Sequence, residues 1–434
     1  MKSMDRRHAV AALAAAILVV TGCGPTTPAS PPSSSSPTAS IGATVSPPPS
    51  NASPTAAADL KEVYAAIEDQ VVAIRGLTPK APVDPQVLDD AGIKKFVSDS
   101  FSKDNPAEVV AANERLLKAF DLLPADASLK DLYLNLLGSQ VAGLYSPDDK
   151  KLYVVSRSGG LGPAEKTAFA HEFTHALQDQ NFDLGNLKLD EVGKSDRSVA
   201  RLSLVEGDAT LSMTYWQIQN LTQADLGQIL SAAGNDPGTQ VLLNMPPILR
   251  ESLLFPYTTG LGFVQGLQAS GGWKGVDAAF AKPPASTEQI LHPEKYATAE
   301  VPIEVSLPAD LAGRMGPGWK VALEDSFGEF QLGVWLRGSK ANNAATANDA
   351  AAGWGGDHVA VLNGPGNTWA VVLRTAWDSV ADAAAFESAA ASLVQGLASP
   401  ASLLPGAGGT ERWVVIGSDD ATLNKLAGAL GLAG

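Results

Sequence analysis

The segment His171-Glu172-Phe173-Thr174-His175 contains two of the five histidines of the chain, four positions apart. On an α-helix, residues i and i+4 lie one turn apart on one face, so both imidazoles can reach a single point. Gly162-Pro163 supplies a proline suited to a first helical turn. Apolar residues follow at helical spacing at Phe169, Ala170, Phe173, Ala176 and Leu177. We therefore predict one helix that carries the whole segment.

The residue types of this segment are those of the HExxH motif of zinc hydrolases. Zinc binds neutral imidazole nitrogen readily, and a catalytic zinc uses three protein ligands and leaves the fourth position for water. His171 and His175 would be two of the ligands. Glu172, rotated by about 100° around the helix, would flank the ion and act as base toward that water. The segment thus predicts a Zn²⁺ site that needs one more protein ligand.

The third ligand must come from elsewhere, because positions 178 and 181 are Gln and Asn and the longer HExxHxxGxxH pattern is absent. Residues 196–220 form a second predicted helix, which carries Glu206-Gly207-Asp208. Glycine inside a helix costs up to about 1 kcal/mol relative to alanine, which indicates close helix packing beside Glu206. Glu206 is the predicted third ligand. The alternatives, as ligands or as partners of the histidine N–H groups, are Asp179, Asp183 and Asp208.

Two stretches resemble the bacterial gluzincin-type metallopeptidases, which are thermolysin-like at the metal helix. They are His171-Glu172-Phe173-Thr174-His175-Ala176-Leu177-Gln178-Asp179-Gln180 and Val205-Glu206-Gly207-Asp208-Ala209, within a likeness that covers residues 71–293. The resemblance implies that His171, His175 and Glu206 bind zinc and that Glu172 is the base. Thermolysin-like enzymes place an aspartate four residues after the ligand glutamate, and Thr210 stands there in this chain. The residues that accept hydrogen bonds from the histidine N–H groups therefore stay open.

A gluzincin commonly uses a further histidine or tyrosine to stabilise the oxyanion that develops on the substrate. Two residues are candidates for this role. His292 follows a predicted capping box formed by Ser286 and Gln289, and Tyr257 lies in Phe255-Pro256-Tyr257-Thr258-Thr259-Gly260. The sequence does not choose between them.

The first residues have the pattern of an export signal. Lys2, Arg6 and Arg7 precede an apolar run over residues 9–20, which is too short to span a bilayer. The run ends in Val20-Thr21-Gly22-Cys23, which resembles the lipobox of bacterial lipoproteins, and Cys23 is the only cysteine. We predict a signal peptide over residues 1–22 and a lipid on Cys23 that anchors the chain at the extracytoplasmic face of the cell membrane. Residues 23–57, rich in Pro, Ser and Thr, would be a disordered tether.

The remaining sequence is long enough for two domains. Helical periodicity over residues 59–139 gives way to strand-like runs over 140–145 and 151–155, which predict a hairpin before the metal helix. An edge strand there could pair with an extended peptide, or the hairpin could only pack on the core. Residues 58–300 would form this mainly helical, gluzincin-like domain. Residues 301–434 follow the order β-α-β-β-α-β plus a terminal helix, which predicts a ferredoxin-like α+β domain.

The formal net charge of −15 argues against nucleic-acid binding. Together these features predict an α+β, membrane-tethered zinc metallopeptidase that acts on a peptide or protein substrate. Two other functions stay open: a non-catalytic, zinc-containing surface binding protein, and a hydrolase of a non-peptide amide such as a cell-wall bond. The presence of Glu172 favours an enzyme, because that residue contributes nothing to a purely structural metal site.

Overall fold

The computed structural model describes residues 54–140, 143–155 and 161–432. The predicted signal peptide, Cys23 and nearly all of the tether lie outside these residues. Among the helices that are described, none is both long enough and apolar enough to cross a membrane. The architecture is α+β: besides the helices, residues 86–155 contribute a small three-stranded sheet, and a larger antiparallel sheet lies near the C-terminal end.

Residues 54–140 are mainly helical, as the periodicity predicts. The helices are α1 (Pro54–Arg75), α2 (Asp90–Asp104), α3 (Ala107–Ala119) and α4 (Leu129–Gln140). In α1, the buried positions Tyr64, Ile67 and Val71 recur at spacings of three and four, so one face of the helix enters the core. α2 begins where the Asp89 side chain accepts a hydrogen bond from the backbone N–H of Gly92.

The predicted hairpin is confirmed and belongs to a three-stranded sheet. Its strands are β1 (Gln86–Leu88), β2 (Gly143–Ser146) and β3 (Lys151–Val155), in the order β1-β3-β2. β2 and β3 are antiparallel, and β1 lies parallel to β3 on the other side. β1 was not predicted, because its pairing partner lies more than sixty residues along the chain and nothing local marks it. Within the described residues β2 is an edge strand, and its first three residues are buried.

The predicted metal helix is confirmed as α5 (Pro163–Phe182), and the second predicted helix as α6 (Ser195–Asn220). The chain continues through α7 (Gln223–Asn235), α8 (Pro237–Leu243), α9 (Pro247–Ala281), α10 (Thr287–Leu291) and α11 (Pro293–Ala297). Every residue of α5 from Thr167 to Asp179 is buried. α5 is therefore a central helix, enclosed by other elements on all sides.

Gly207 of α6 faces Gly260 of α9, and this contact confirms the packing requirement predicted for Gly207. A Cβ on Gly207 would lie 2.4 Å from the carbonyl oxygen of Gly260. In the same way, a Cβ on Gly260 would lie 2.5 Å from the carbonyl oxygen of Ser203. No side chain fits at either position without a shift of the backbone. The two glycines thus let α6 and α9 approach closely, which sets the separation between Glu206 on α6 and Tyr257 on α9.

The C-terminal part is a five-stranded antiparallel sheet with helices on both faces. After α12 (Leu311–Arg314), its elements are β4 (Lys320–Asp325), α13 (Gly328–Leu336), α14 (Ala344–Ala351), β5 (Trp354–Asn363), β6 (Trp369–Trp377), α15 (Val380–Gly396), β7 (Ala401–Pro405), β8 (Glu411–Gly417) and α16 (Asp420–Leu430). The order is β4-β5-β6-β8-β7. Successive residues of β5 enter two different cores, Val359 and Val361 on one face and Ala360 and Leu362 on the other.

The prediction of a ferredoxin-like topology is wrong. In that fold the two strands joined by the first helix are parallel, with another strand between them. Here β4 and β5 are antiparallel neighbours. The reason is that α13 and α14 form a helical hairpin, which reverses the chain once more than a single helix would. α14 and β7 were both missing from the prediction. A split arrangement does occur later, where β6 and β7 are connected by α15 and separated by β8.

Hydrophobic contacts cross the boundary predicted at residue 300. Phe120 at the end of α3 packs edge-on against Phe327, with ring centroids 5.2 Å apart. Phe255 of α9 lies 4.1 Å from Phe330 of α13, again between ring centroids. The helical part and the larger sheet thus share apolar clusters. The division into two domains, residues 58–300 and residues 301–434, therefore stays a prediction.

Candidate metal centre

The candidate metal centre lies where α5 packs against α6. His171 and His175 are one turn apart on α5, and their rings are nearly perpendicular, with centroids 4.7 Å apart. Glu206 reaches them from α6. The three side chains are almost fully enclosed, with exposed fractions of 0% for His171, 8% for His175 and 2% for Glu206. The structure therefore brings together all three predicted ligands inside the protein.

The ligand atoms of this group form a small triangle. His171 Nε2 lies 3.0 Å from His175 Nε2 and 3.2 Å from Glu206 Oε2. His175 Nε2 lies 3.3 Å from the same Glu206 oxygen. A tetrahedral zinc with bonds of about 2.0–2.1 Å would separate its ligand atoms by about 3.3–3.4 Å. The three residues thus fit one small cation in both donor type and spacing, although no ion is part of the structure.

The charges of the group stabilise one another. Burial lowers the pKa of His175, but the Glu206 carboxylate outweighs that effect and raises the pKa to about 9. Burial raises the pKa of Glu206, and the two histidines outweigh it and bring the pKa down to about 2. Glu206 is therefore ionised over the whole physiological range. At neutral pH the proton on His175 balances the charge of Glu206, and a bound cation would take the place of that proton.

Glu172 borders the triangle and is itself 1% exposed. Its Oε2 accepts a hydrogen bond of 2.8 Å from the backbone N–H of Tyr145 on β2, whereas its Oε1 has no hydrogen-bond partner among the described residues. Burial is the main cause that raises the pKa of this carboxyl group. One oxygen is thus held in place and the other is available. This is the arrangement that a base beside a bound water requires.

The bond to Glu172 also bears on the prediction that β2 could pair with a peptide. A bound strand would need backbone N–H and C=O groups along the free edge of β2. One of those donors, the N–H of Tyr145, is already used by Glu172. The first three residues of β2 are buried as well. These contacts favour the alternative in which the hairpin packs on the core and holds the base.

The three aspartates that were considered as other ligands have different partners. Asp179 accepts from the Tyr145 hydroxyl at 2.7 Å and from Lys150 at 2.6 Å. Asp183 ends α5 and accepts from the side-chain amide of Asn186 at 2.7 Å. Asp208 is bound to buried residues outside the triangle, Arg75 and Gln178. The geometry thus selects Glu206 as the third residue of the group.

Of the two oxyanion candidates, the structure brings Tyr257 to the centre. The Tyr257 ring lies 6.2 Å from the ring of His171, between centroids. Its hydroxyl is buried beside the Glu206 carboxylate and makes no well-formed hydrogen bond to any described residue. Burial, followed by the charges of Glu206 and Glu172, raises the pKa of Tyr257 well above its ordinary value. The phenol therefore keeps its proton and can donate it in a hydrogen bond.

His292 lies between α10 and α11 and has a different partner. Its Nε2 is 2.8 Å from Glu329 Oε1 on α13, and its Nδ1 is 3.7 Å from Glu294. It is not part of the group formed by His171, His175 and Glu206. Of the predicted capping box only one bond is present, from the backbone N–H of Gln289 to the Ser286 hydroxyl, because the Gln289 side chain accepts from the backbone N–H of Ala285 instead. These contacts give His292 a role in joining α10 to α13.

Sequence reasoning missed Gln178 and Arg75. Gln178 Oε1 lies 2.8 Å from His175 Nδ1, the ring nitrogen that points away from the triangle. The spacing of three residues on one helix could have indicated this contact. Arg75 is fully buried and bonds to Asp208 across 133 positions of sequence, so no local signal could have found it. Thr210 stands where thermolysin-like enzymes have an aspartate, but it does not bond to His171. Neither the Thr210 hydroxyl nor His171 Nδ1 has a hydrogen-bond partner within the described residues.

Comparison with known proteins gives one match. Residues 320–425 match the family model of a domain of unknown function, DUF8575. The matched range begins at β4 and ends within α16, so it covers the five-stranded sheet and leaves out α5, α6 and α9, which form the candidate centre. No curated protein and no solved structure matches the chain.

Proposed function

We propose that this protein is a zinc-dependent metallopeptidase. The observation that carries the proposal is the convergence of His171, His175 and Glu206 on one point, with the available oxygen of Glu172 beside it. Two nitrogen donors and one carboxylate are a common ligand set for catalytic zinc, and three ligands leave a position for water or substrate. A purely structural zinc is usually closed by four protein ligands, and no such fourth residue belongs to this group among the described residues.

A bound zinc would polarise the scissile carbonyl and lower the pKa of its water toward roughly 7. Residues of the protein itself carry out the remaining steps. Glu172 Oε1 accepts the proton of the attacking water and passes it to the leaving amine, while the bond from Tyr145 holds the other oxygen still. The Tyr257 hydroxyl donates a hydrogen bond to the oxygen on which negative charge develops. We propose a peptide or protein as the substrate.

Tyr257→Phe is expected to lower kcat by a factor on the order of 10²–10³, the usual scale for loss of one oxyanion donor. Zinc affinity should stay the same, because the phenol is not one of the converging ligands. Steady-state kinetics and zinc content of the purified variant test this. Tyr296→Phe is the matched control, since its hydroxyl bonds to the Lys282 carbonyl and not to the centre. An unchanged kcat in Tyr257→Phe would contradict the role.

The function itself is tested with the purified chain and a broad library of peptides, proteins and cell-wall fragments. We expect peptide cleavage that a chelator abolishes and that added zinc restores. Cleavage of wall fragments alone would support the non-peptide amide hydrolase. If the zinc-loaded protein cleaves nothing in the library, the proposal fails in favour of a non-catalytic binding protein.

We also propose that the protein acts outside the cytoplasm, tethered to the membrane through a lipid on Cys23. The support is the sequence pattern before Cys23 and the absence of any other cysteine. Cys23→Ala is expected to move the protein from the membrane fraction to the soluble fraction, or to block its maturation. Retention of the variant in the membrane pellet, as complete as for the wild type, would contradict the lipid anchor.

A further inference from the structure

We infer that Arg75, Asp208 and Gln178 form a positioning relay that selects the metal-binding tautomer of His175. The relay runs from Arg75 Nε to Asp208 Oδ1 at 2.7 Å, from Gln178 Nε2 to Asp208 Oδ2 at 2.9 Å, and from Gln178 Oε1 to His175 Nδ1 at 2.8 Å. All three residues of the relay are completely buried. The inference rests on the proposed zinc site and extends it to residues that do not touch the metal.

The orientation of the Gln178 amide is decided by its neighbours. Gln178 Nε2 donates to two groups, the Val205 carbonyl at 2.9 Å and the Asp208 carboxylate. Both groups can only accept, so they require the NH₂ end of the amide. The carbonyl end must then face His175. In a fully buried site the reverse orientation would leave several polar groups unpaired, which is strongly unfavourable.

The orientation of this amide determines which nitrogen of His175 carries the proton. Gln178 Oε1 is an acceptor, so His175 Nδ1 must be the N–H donor. In the neutral ring the lone pair is then on Nε2, the atom that faces His171 and Glu206. Metal-bound histidines ordinarily have such a partner on the second nitrogen, which selects the tautomer and orients the ring. His171 has none within the described part of the chain.

Arg75 holds the far end of the relay and connects three helices. It lies at the end of α1, and its second bond, from Nη2 to Asp277 Oδ1 on α9, is 2.7 Å long. The guanidinium also lies over the Trp273 ring, with Cζ 4.6 Å from the ring centroid. With Asp208 on α6, these contacts prevent the carboxylate from rotating away from Gln178. Arg75 is thus a positioning residue.

Asp208→Asn tests the relay because it inverts the hydrogen-bond pattern and keeps the size of the side chain. The new amide oxygen can still accept from Arg75, so its NH₂ group faces the NH₂ group of Gln178. Rotation of the Gln178 amide would relieve that conflict, but it would present a donor to His175 Nδ1 and move the ring proton to Nε2. We expect zinc affinity to fall by about 10–100-fold, the usual scale for loss of a partner of a metal-binding histidine.

Two further variants separate this mechanism from simple damage to the core. Asp208→Asn combined with Gln178→Glu restores a carboxylate acceptor for His175 and for the new amide, but it leaves the Val205 carbonyl without its donor. We therefore expect a lower melting temperature and a zinc affinity that recovers in large part toward that of the wild type. Gln178→Met removes the acceptor at similar volume and should weaken zinc as Asp208→Asn does. Asp310→Asn is the control: it makes the same chemical change in an Arg–Asp pair outside the relay, Asp310 with Arg314, and should leave zinc affinity unchanged.

Zinc dissociation constants are measured by competition with a chromophoric chelator, and melting temperatures without zinc report on the fold. The relay is overturned if Asp208→Asn binds zinc as tightly as the wild type, or if Gln178→Glu fails to rescue it in a folded double variant. In both cases the proposed function stands, because the wild type still binds zinc. A wild type that binds no zinc would instead overturn the proposed function.

Discussion

Glu172→Gln is expected to keep the fold and the zinc while turnover falls by a factor on the order of a hundred or more, the scale for loss of a positioned acid–base group. The amide oxygen of glutamine can still accept the N–H of Tyr145, which now donates to Glu172. The NH₂ group would then occupy the place of Oε1, the oxygen without a partner. Glutamine therefore preserves the structural bond and removes only the proton acceptor.

The measurements are zinc content, thermal melting and initial rates on any peptide that the wild type cleaves. Glu165→Gln is the matched control, since it makes the same chemical change in the first turn of α5, before the motif. It should retain full activity. Equal rates for Glu172→Gln and wild type would remove Glu172 from the mechanism, whereas loss of zinc from this variant would mean that Glu172 is itself a ligand.

The second large effect is expected on metal retention. His171→Ala, His175→Ala and Glu206→Gln each remove one of the converging ligand atoms. Structural zinc sites with four ligands bind with about 10–16 kcal/mol, or roughly 3 kcal/mol for each ligand, so the loss of one predicts a fall in affinity on the order of a hundredfold. Because wild type is expected to hold one zinc per chain, elemental analysis after dialysis should show a clear deficit in all three variants.

His358→Ala is the control for these variants. His358 lies on β5, where its Nδ1 is 3.1 Å from the Val305 carbonyl, so its loss should not change zinc content. Full zinc occupancy in Glu206→Gln, with unchanged dissociation constant, would show that the third ligand is another group. Full occupancy in both histidine variants would show that zinc binds away from this centre.

Much of the helical framework follows from local sequence alone. The spacing of apolar residues predicts α1, α5 and α6, because the helical period brings these residues to a common face. The same period places His171 and His175 one turn apart on α5 and makes Glu172 their neighbour, so the motif could be found without any tertiary information. The change to alternating residues before the turn at 146–150 likewise predicts the hairpin.

The ferredoxin-like topology predicted for residues 301–434 is wrong because two short elements were missed. α14 is a short run rich in small residues, and β7 is a five-residue strand at the edge of the sheet, so neither shows a strong periodic pattern. A single missed helix changes the direction in which the chain returns to the sheet. The predicted strand order then fails, although the predicted elements themselves are present. The order of strands in a sheet depends on the helices and loops that connect them as well as on the sequences of the strands.

The sequence by itself determined the HExxH motif and the helix that carries it, because both depend on residues within one turn of each other. Only the tertiary structure selected Glu206 over the nearby aspartates, brought Tyr257 and not His292 to the centre, and connected Arg75 to His175 through Asp208 and Gln178. The position of Tyr257 depends on how closely α6 approaches α9, which Gly207 and Gly260 permit. The other two results depend on how α6 packs against α5 and α1. Such long-range distances result from the packing of whole helices, and no short stretch of sequence encodes them.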